Sequence, residues 1–221
     1  MDPITGLLSL LILIYSAILH EIAHGFIAER LGDPTARLLG RLTLNPVKHI
    51  DPYMTFLLPI LTYYASGGSL IFGGAKPVPV DPFNLRDGRK DMALVSLAGP
   101  LTNVLIAVIA AVLAKGLIFI TPILGATPDI TAIAVPAYLF LFLVVKINLI
   151  LAIFNLIPVP PLDGSKVFSL VLPEKDAATF LAIGNIGIFV IFFLLMFPIG
   201  GFSLGGFIGN LIYFSMHLLG L

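Results

Sequence analysis

Cysteine and tryptophan are both absent from the 221 residues. Without cysteine, disulfides and thiol chemistry are excluded, although the compartment stays open. Charge is scarce: Asp, Glu, Lys and Arg make up 11% of the chain, against about 25% in soluble domains. The formal net charge is zero, so a nucleic-acid partner has no electrostatic support. No linker, low-complexity run or internal repeat interrupts the chain. The first residues, MDPITG, lack the basic start of a signal peptide, so residues 5–28 are expected to persist as a transmembrane helix.

What is present is apolar, 58% of the residues, and several stretches reach the roughly 20 residues a spanning helix needs. The expected fold is an all-α polytopic membrane protein. Five segments read as spanning helices, at about 5–29, 93–114, 134–156, 181–198 and 203–219. A sixth apolar stretch, 53–72, holds Pro59 and Gly67-Gly68, which break or bend a helix, and reads as re-entrant or as a further membrane segment. Two polar segments, 30–52 and 73–92, carry short alternating β-like runs at 36–45 and 75–80.

Lys and Arg cluster in three places: Arg30, Arg37, Arg41 and Lys48; Lys76, Arg86, Arg89 and Lys90; Lys166 and Lys175. If 53–72 returns to the side it left, all three clusters share one face, which the positive-inside rule makes cytoplasmic. The N-terminus is then outside and the C-terminus inside. Lys115 sits near an outer helix end and can snorkel. Lys146 lies deep in the third confident helix, where it needs protein or water around it.

Within this apolar background, the stretch AILHEIAHGF (17–26) stands out. Its H-E-x-x-H pattern puts His20 and His24 one helical turn apart on one face, able to share a Zn²⁺, with Glu21 placed as a general base. Buried core histidines would explain the pair in a soluble protein. In a membrane helix, three ionisable residues within five positions point to function.

A catalytic zinc usually takes three protein ligands and leaves a position for water. Glu29 is too close along the same helix to fold back. Glu174 follows Pro173 in a polar loop, His49 lies in the first basic segment, and His217 is near the end of the chain. Asp163 is the best ligand available. It sits in NLIPVPPLDG (155–164), where Pro158, Pro160 and Pro161 stop a helix and Gly164 permits a tight turn. Alone it would read as a turn aspartate. A further cluster, SLAGPLTN (96–103), has Ala98 and Gly99 for close helix approach and Asn103 inside an apolar helix. Asn103, Asn148 and Asn155 read equally well as substrate contacts or as hydrogen bonds between helices.

HEIAHG (20–25), AGPLTN (98–103) and NLIPVPPLDG (155–164), in this order, resemble the site-2 protease family of intramembrane zinc metalloproteases. LNPVKHIDP (44–52) and GAKPVPV (74–80) are similar to its compact prokaryotic branch, and the resemblance runs from about residue 15 to 170. It implies one zinc per chain on His20, His24 and Asp163, with Glu21 as the acid/base. It implies that Asn103 and Asn155 orient the scissile peptide or stabilise the oxyanion. The implied fold is a three-helix catalytic core, 5–29, 93–114 and 134–156, within one domain spanning 1–221, whose core covers about 5–170 and whose accessory helices cover 181–219. The implied reaction is hydrolysis of peptide bonds in transmembrane protein or peptide substrates, at the cytoplasmic side of the bilayer. The PDZ and CBS domains of some relatives are missing, and oligomeric state is not indicated. The β-like runs offer either an edge for an unwound substrate strand or a plain hairpin over the site. The rival class is a non-proteolytic zinc-binding membrane protein, a metal transporter or chaperone-like factor. A pure metal-binding role needs ligands but not Glu21.

Overall fold

A computed structural model describes residues 3–52, 75–125, 127–184 and 186–221, together with Leu57, Ile60, Leu61 and Tyr64. Three helices are long and apolar enough to cross a bilayer: α1 (Pro3–Arg30), α3 (Gly88–Ile123) and α4 (Pro128–Asn155). Short helices complete the described chain: α2 (Thr35–Leu38), α5 (Asp163–Phe168), α6 (Glu174–Leu181), α7 (Ile186–Met196) and α8 (Leu204–Leu218). At 1.5 Å per residue the 36-residue α3 runs about 54 Å, well beyond a bilayer's roughly 30 Å core.

Local chemistry sets the helix ends. The Thr127 hydroxyl accepts from Ile130 N–H at 3.4 Å, with Pro128 at the first helical position of α4. At the start of α3, Asp91 Oδ2 accepts from Asp87 N–H at 2.8 Å. Proline ends α4, because the run Pro158, Pro160, Pro161 removes the donors a continuing helix needs.

α1 and α3 pack antiparallel in a readable register. His24 meets Val95, Gly99 lies against His20 and His24, and Asn103 reaches His20 and Ser16. α4 joins through Asn148, which bonds both Asn103 and Ser16. Farther along α3, Ala107, Ala110 and Ala111 are buried against Val145 and Leu149 of α4. Lipid tails are as apolar as these side chains, so helices here associate by close packing, and small residues permit it.

The last third of the chain departs from five spans. The 181–198 segment is broken by a 72° bend between α6 and α7, and Gly184 in this break has φ of 53°. α7 stays at the metal end of the bundle: Gly187 lies against the Pro160 carbonyl, and Ile191 packs with Leu162. α8 begins in the same cluster, at Leu204, and runs antiparallel to α4. Its far end puts Met216, Leu219 and Leu221 against the Ala107–Val145 cluster and Gly220 beside Lys115. The C-terminus therefore lies toward the Lys115 end, opposite the catalytic motifs, and not on their face as expected. At 11 and 15 residues α7 and α8 are each short of an unbroken span, and α6 with α7 reaches spanning length only as a bent pair.

The β-like runs form no strand among the described residues. In 36–45, local bonds consume the N–H groups a ladder would use: Leu39 to Thr35, Gly40 to Arg37 and Arg41 to Ala36 carbonyls. The 75–80 run forms neither helix nor strand. Pro77 and Pro79 have no N–H, and on the alternate residues Lys76 N–H goes to the His49 carbonyl and Val78 N–H to Glu21. Two of the six residues thus lack a donor and two have theirs engaged outside a ladder, consistent with the absence of a strand among the described residues.

The re-entrant reading of 53–72 lies largely outside the described residues, which there are Leu57, Ile60, Leu61 and Tyr64 alone. Its flanks do not: Lys76 N–H donates to the His49 carbonyl at 2.8 Å, so the two polar segments meet at one end of the bundle. Lys146 is exposed on α4.

Candidate metal centre

α1 presents His20 and His24 toward α3, and their rings meet edge-on with centroids 4.6 Å apart. Asp163, the first residue of α5, arrives from the turn after α4. That turn requires Gly164, since a Cβ there would overlap the Leu156 carbonyl. Asp163 Oδ2 stands 3.1 Å from His20 Nε2 and 3.2 Å from His24 Nε2. Ligand atoms of the three residues all lie within 4.8 Å of one another, and all three side chains are buried.

The surroundings fix how these groups face. His24 Nδ1 donates to the Val95 carbonyl at 2.7 Å, and His20 Nδ1 lies 2.6 Å from Asn103 Oδ1. With each Nδ1–H so placed, a neutral ring turns the Nε2 lone pair toward Asp163. Asp163 Oδ1 accepts from Lys166 Nζ at 3.3 Å, leaving Oδ2 for the cluster. Three acceptor atoms thus converge, and only positive charge between them satisfies all three. Two imidazoles with Nδ1–H on oxygen, plus one carboxylate, is the donor set of a tetrahedral zinc with one open position. The residues fit the ion.

Gly99 makes the convergence possible. A Cβ there would stand 2.5 Å from His20 Nε2 and 2.6 Å from His24 Cε1, inside the space the two rings occupy. Gly25, next to His24 on α1, lets Val78 and Leu42 close over that helix. The 75–80 strap is held over this point by three bonds: Val78 N–H to Glu21 Oε2 at 2.7 Å, and Arg41 Nη2 to the Lys76 and Pro77 carbonyls at 2.9 and 3.3 Å. Below it Asp33 accepts from the N–H groups of Asp81 and Thr35 and the side chains of Thr35 and Asn84, lacing the two polar segments together.

The rejected third-ligand candidates have other partners or places. Glu29 pairs with Arg37 at 2.5 Å, His49 Nε2 is bonded to the Thr43 carbonyl at 2.8 Å, and Glu174 starts α6. Asn103 is in the centre, but behind His20: its Oδ1 faces His20 and its Nδ2 faces Asn148 Oδ1 at 2.9 Å. Asn155 sends its amide back to the Leu151 carbonyl of its own helix at 2.9 Å and shares no hydrogen bond with the three ligands. Sequence reasoning passed over Ser16 and the Val78 N–H. Ser16 had a signal, since it lies four residues before His20 on the same face of α1; a backbone donor from a distant loop had none.

A buried His-His-Asp cluster, with both histidines on a long apolar helix and a glutamate between them, is the arrangement expected of a membrane-embedded metalloprotease. The chain belongs to peptidase family M50, the site-2 protease family, whose profile matches residues 8–198. It is 34% identical over 194 residues to the Bacillus subtilis (strain 168) protein named "Putative zinc metalloprotease YwhC", covering 87% of this chain and 81% of that one. It is 31% identical over 205 residues to the Mycobacterium tuberculosis (strain H37Rv) protein named "Putative zinc metalloprotease Rip2", covering 93% and 71%. The Rip2 of Mycolicibacterium smegmatis is 35% identical over 149 residues, 67% of this chain and 51% of that one. No solved structure matches the chain.

Proposed function

We propose that the chain is a zinc metalloendopeptidase that hydrolyses peptide bonds within or beside transmembrane segments of membrane-protein substrates. The observation that carries this reading is the convergence of His20, His24 and Asp163 on one buried point of an apolar helix bundle. Bound zinc supplies Lewis-acid polarisation of a scissile carbonyl and a water of lowered pKa.

The chain's own residues do the rest. His20, His24 and Asp163 hold the ion. Glu21 takes the proton of the attacking water and delivers it to the leaving amine. Val78 N–H engages Oε2 of that carboxylate, which aims Glu21 and leaves Oε1 for the proton. Lys166 holds the far oxygen of Asp163, favouring a single ligating oxygen.

The basic clusters at the metal end support a cytoplasmic location for that end under the positive-inside rule. Both termini then lie toward the other face. A transmembrane reporter incubated with the purified chain in detergent should be cut within or next to its apolar segment. Chelation should stop cleavage and zinc should restore it. Cleavage that survives complete zinc removal would exclude the mechanism.

A further inference from the structure

Two nitrogens on one imidazole are chemically alike until something outside the ring distinguishes them. For His24 the distinction is direct, because Nδ1 faces the Val95 backbone carbonyl, which can only accept. For His20 the neighbour is Asn103, whose side chain offers both an acceptor and donors, so the first contact does not settle which ring nitrogen carries the proton.

We propose that Asn148 and Ser16 are positioning residues for the metal site, acting through Asn103 to hold the proton of His20 on Nδ1 and its lone pair on Nε2. The inference rests on the metal reading of His20, His24 and Asp163 and goes past it, to residues on three helices.

The direction of the chain of bonds starts at a group of fixed polarity. The Val144 carbonyl accepts from Asn148 Nδ2 at 2.9 Å. The same Nδ2 donates to Ser16 Oγ at 2.9 Å, which uses both amide hydrogens. Asn148 Oδ1 must then face the other way, where it accepts from Asn103 Nδ2 at 2.9 Å. The Ser16 carbonyl, 3.5 Å from that nitrogen, favours the same orientation. Asn103 Oδ1 is thereby turned to His20, and at 2.6 Å it accepts from Nδ1–H. A neutral ring protonated there carries its lone pair on Nε2, the atom that faces Asp163. Asn103 and Asn148 are fully buried, so no water can replace a lost member. Flipping either amide would put donor against donor and acceptor against acceptor in an apolar interior, where each mismatch is costly.

Helix adhesion alone does not explain this arrangement. A bond between Asn103 and Asn148 would join α3 and α4 without reaching His20. The terminal bond to the imidazole makes the network a relay, and partners of this kind are typically worth about 10–100-fold in metal affinity.

The test uses the full-length chain in detergent. Zinc affinity, read by chelator competition, should fall about 10–100-fold in Asn148→Leu, and less in Ser16→Ala, which leaves the Val144 anchor intact. Asn103→Asp retains an acceptor for Nδ1–H and should bind zinc more tightly than Asn103→Leu. A second measurement needs no metal. In Asp163→Ala, nothing opposite Nε2 competes for its proton, so the nitrogen-15 spectrum of labelled histidine should show His20 as the Nδ1–H form. Adding Asn148→Leu should convert it to a mixture. Failure of wild type to bind zinc would sink the metal reading while leaving the tautomer measurement decisive for the relay. Wild-type zinc affinity in a folded Asn148→Leu would overturn the relay. An Nε2–H form of His20 in Asp163→Ala, or one that Asn148→Leu does not change, would also overturn it.

Discussion

One helix, α3, brings small residues to two ends of the molecule for opposite reasons. At the metal end Gly99 is small because any side chain would enter the space of two imidazoles. About 16 Å further along the same helix, Ala107, Ala110 and Ala111 are small because α4 and α8 press close with ordinary apolar contacts. The first end holds its neighbours by directed bonds: Val95 to His24, Asn103 to His20, Val78 to Glu21, and Asp33 to four donors. The second holds them by shape alone. Directed bonds fix the position of a chemical group; packing fixes only the distance between helices. A one-atom change should therefore cost function at one end and a modest amount of stability at the other.

The largest effect belongs to the ligands. His20→Ala or Asp163→Ala should bring bound zinc from near-stoichiometric to background by elemental analysis. Full occupancy in the double variant would remove both residues from the site. Next comes Glu21→Gln, which leaves all three ligands in place but cannot accept the water proton. General-base removal costs typically 10²–10⁴-fold. Cleavage of a transmembrane reporter should drop on that scale while zinc content holds, and wild-type turnover in this variant would end the role assigned to Glu21.

The same contrast explains what could be read before the fold was known. The three long helices were legible because continuous apolar runs of that length have few alternatives in water or lipid. The convergence of His20, His24 and Asp163 was legible because two histidines at helical spacing and an aspartate held by prolines and a glycine are rare in such runs. The 181–198 segment differs from an unbroken span because apolar composition does not distinguish a straight crossing from two short helices joined at a bend. The β-like runs were misread because alternation predicts a strand only when donors are free. Asp33 and the backbone bonds of Thr35–Arg41 use those of the first run, and two prolines remove those of the second. Asn103 stands out in the sequence but its orientation does not, since that depends on Asn148 and Ser16, 45 and 87 residues away in the chain.

Gly99→Ala tests the comparison from the metal end. Alanine is the better helix former by about 1 kcal/mol, so thermal stability should hold or rise slightly. The added methyl must displace His20 or His24, and zinc affinity should fall at least about tenfold, as for other disturbances of a ligand's setting. Unchanged affinity would show that the rings have room to give.

The lacing at Asp33 should contribute stability with a defined acid dependence. Its burial raises the carboxyl pKa, but bonds from Thr35 and Asn84 and from the N–H groups of Asp81 and Thr35 outweigh this and pull it below the ordinary value. A depressed folded pKa means the stabilisation is present above the unfolded value of about 3.9 and is lost as pH falls through the lower folded one. Asp33→Ala leaves buried donors unmatched and should lower stability at neutral pH by about 1–3 kcal/mol. The difference from wild type should shrink on acidification. A constant difference down to the acid limit would mean that the Asp33 charge contributes nothing.

The smallest effect comes from the far end, where Ala110→Gly mirrors Gly99→Ala by removing one methyl from the same helix. Ala110 is buried beside Val145 and Leu149, so the change leaves a small gap and puts glycine in a helix interior. The helix term is about 1 kcal/mol, and the lost methyl adds a contribution of similar size. A lower unfolding temperature is therefore expected. Ala110 touches none of the bonds that orient His20, His24 or Asp163, so zinc affinity and reporter cleavage should stay at wild-type levels once the protein is folded. A loss of zinc affinity in Ala110→Gly would mean that packing at the far end is transmitted to the ligands, and that the two ends of α3 are one mechanical unit instead of two.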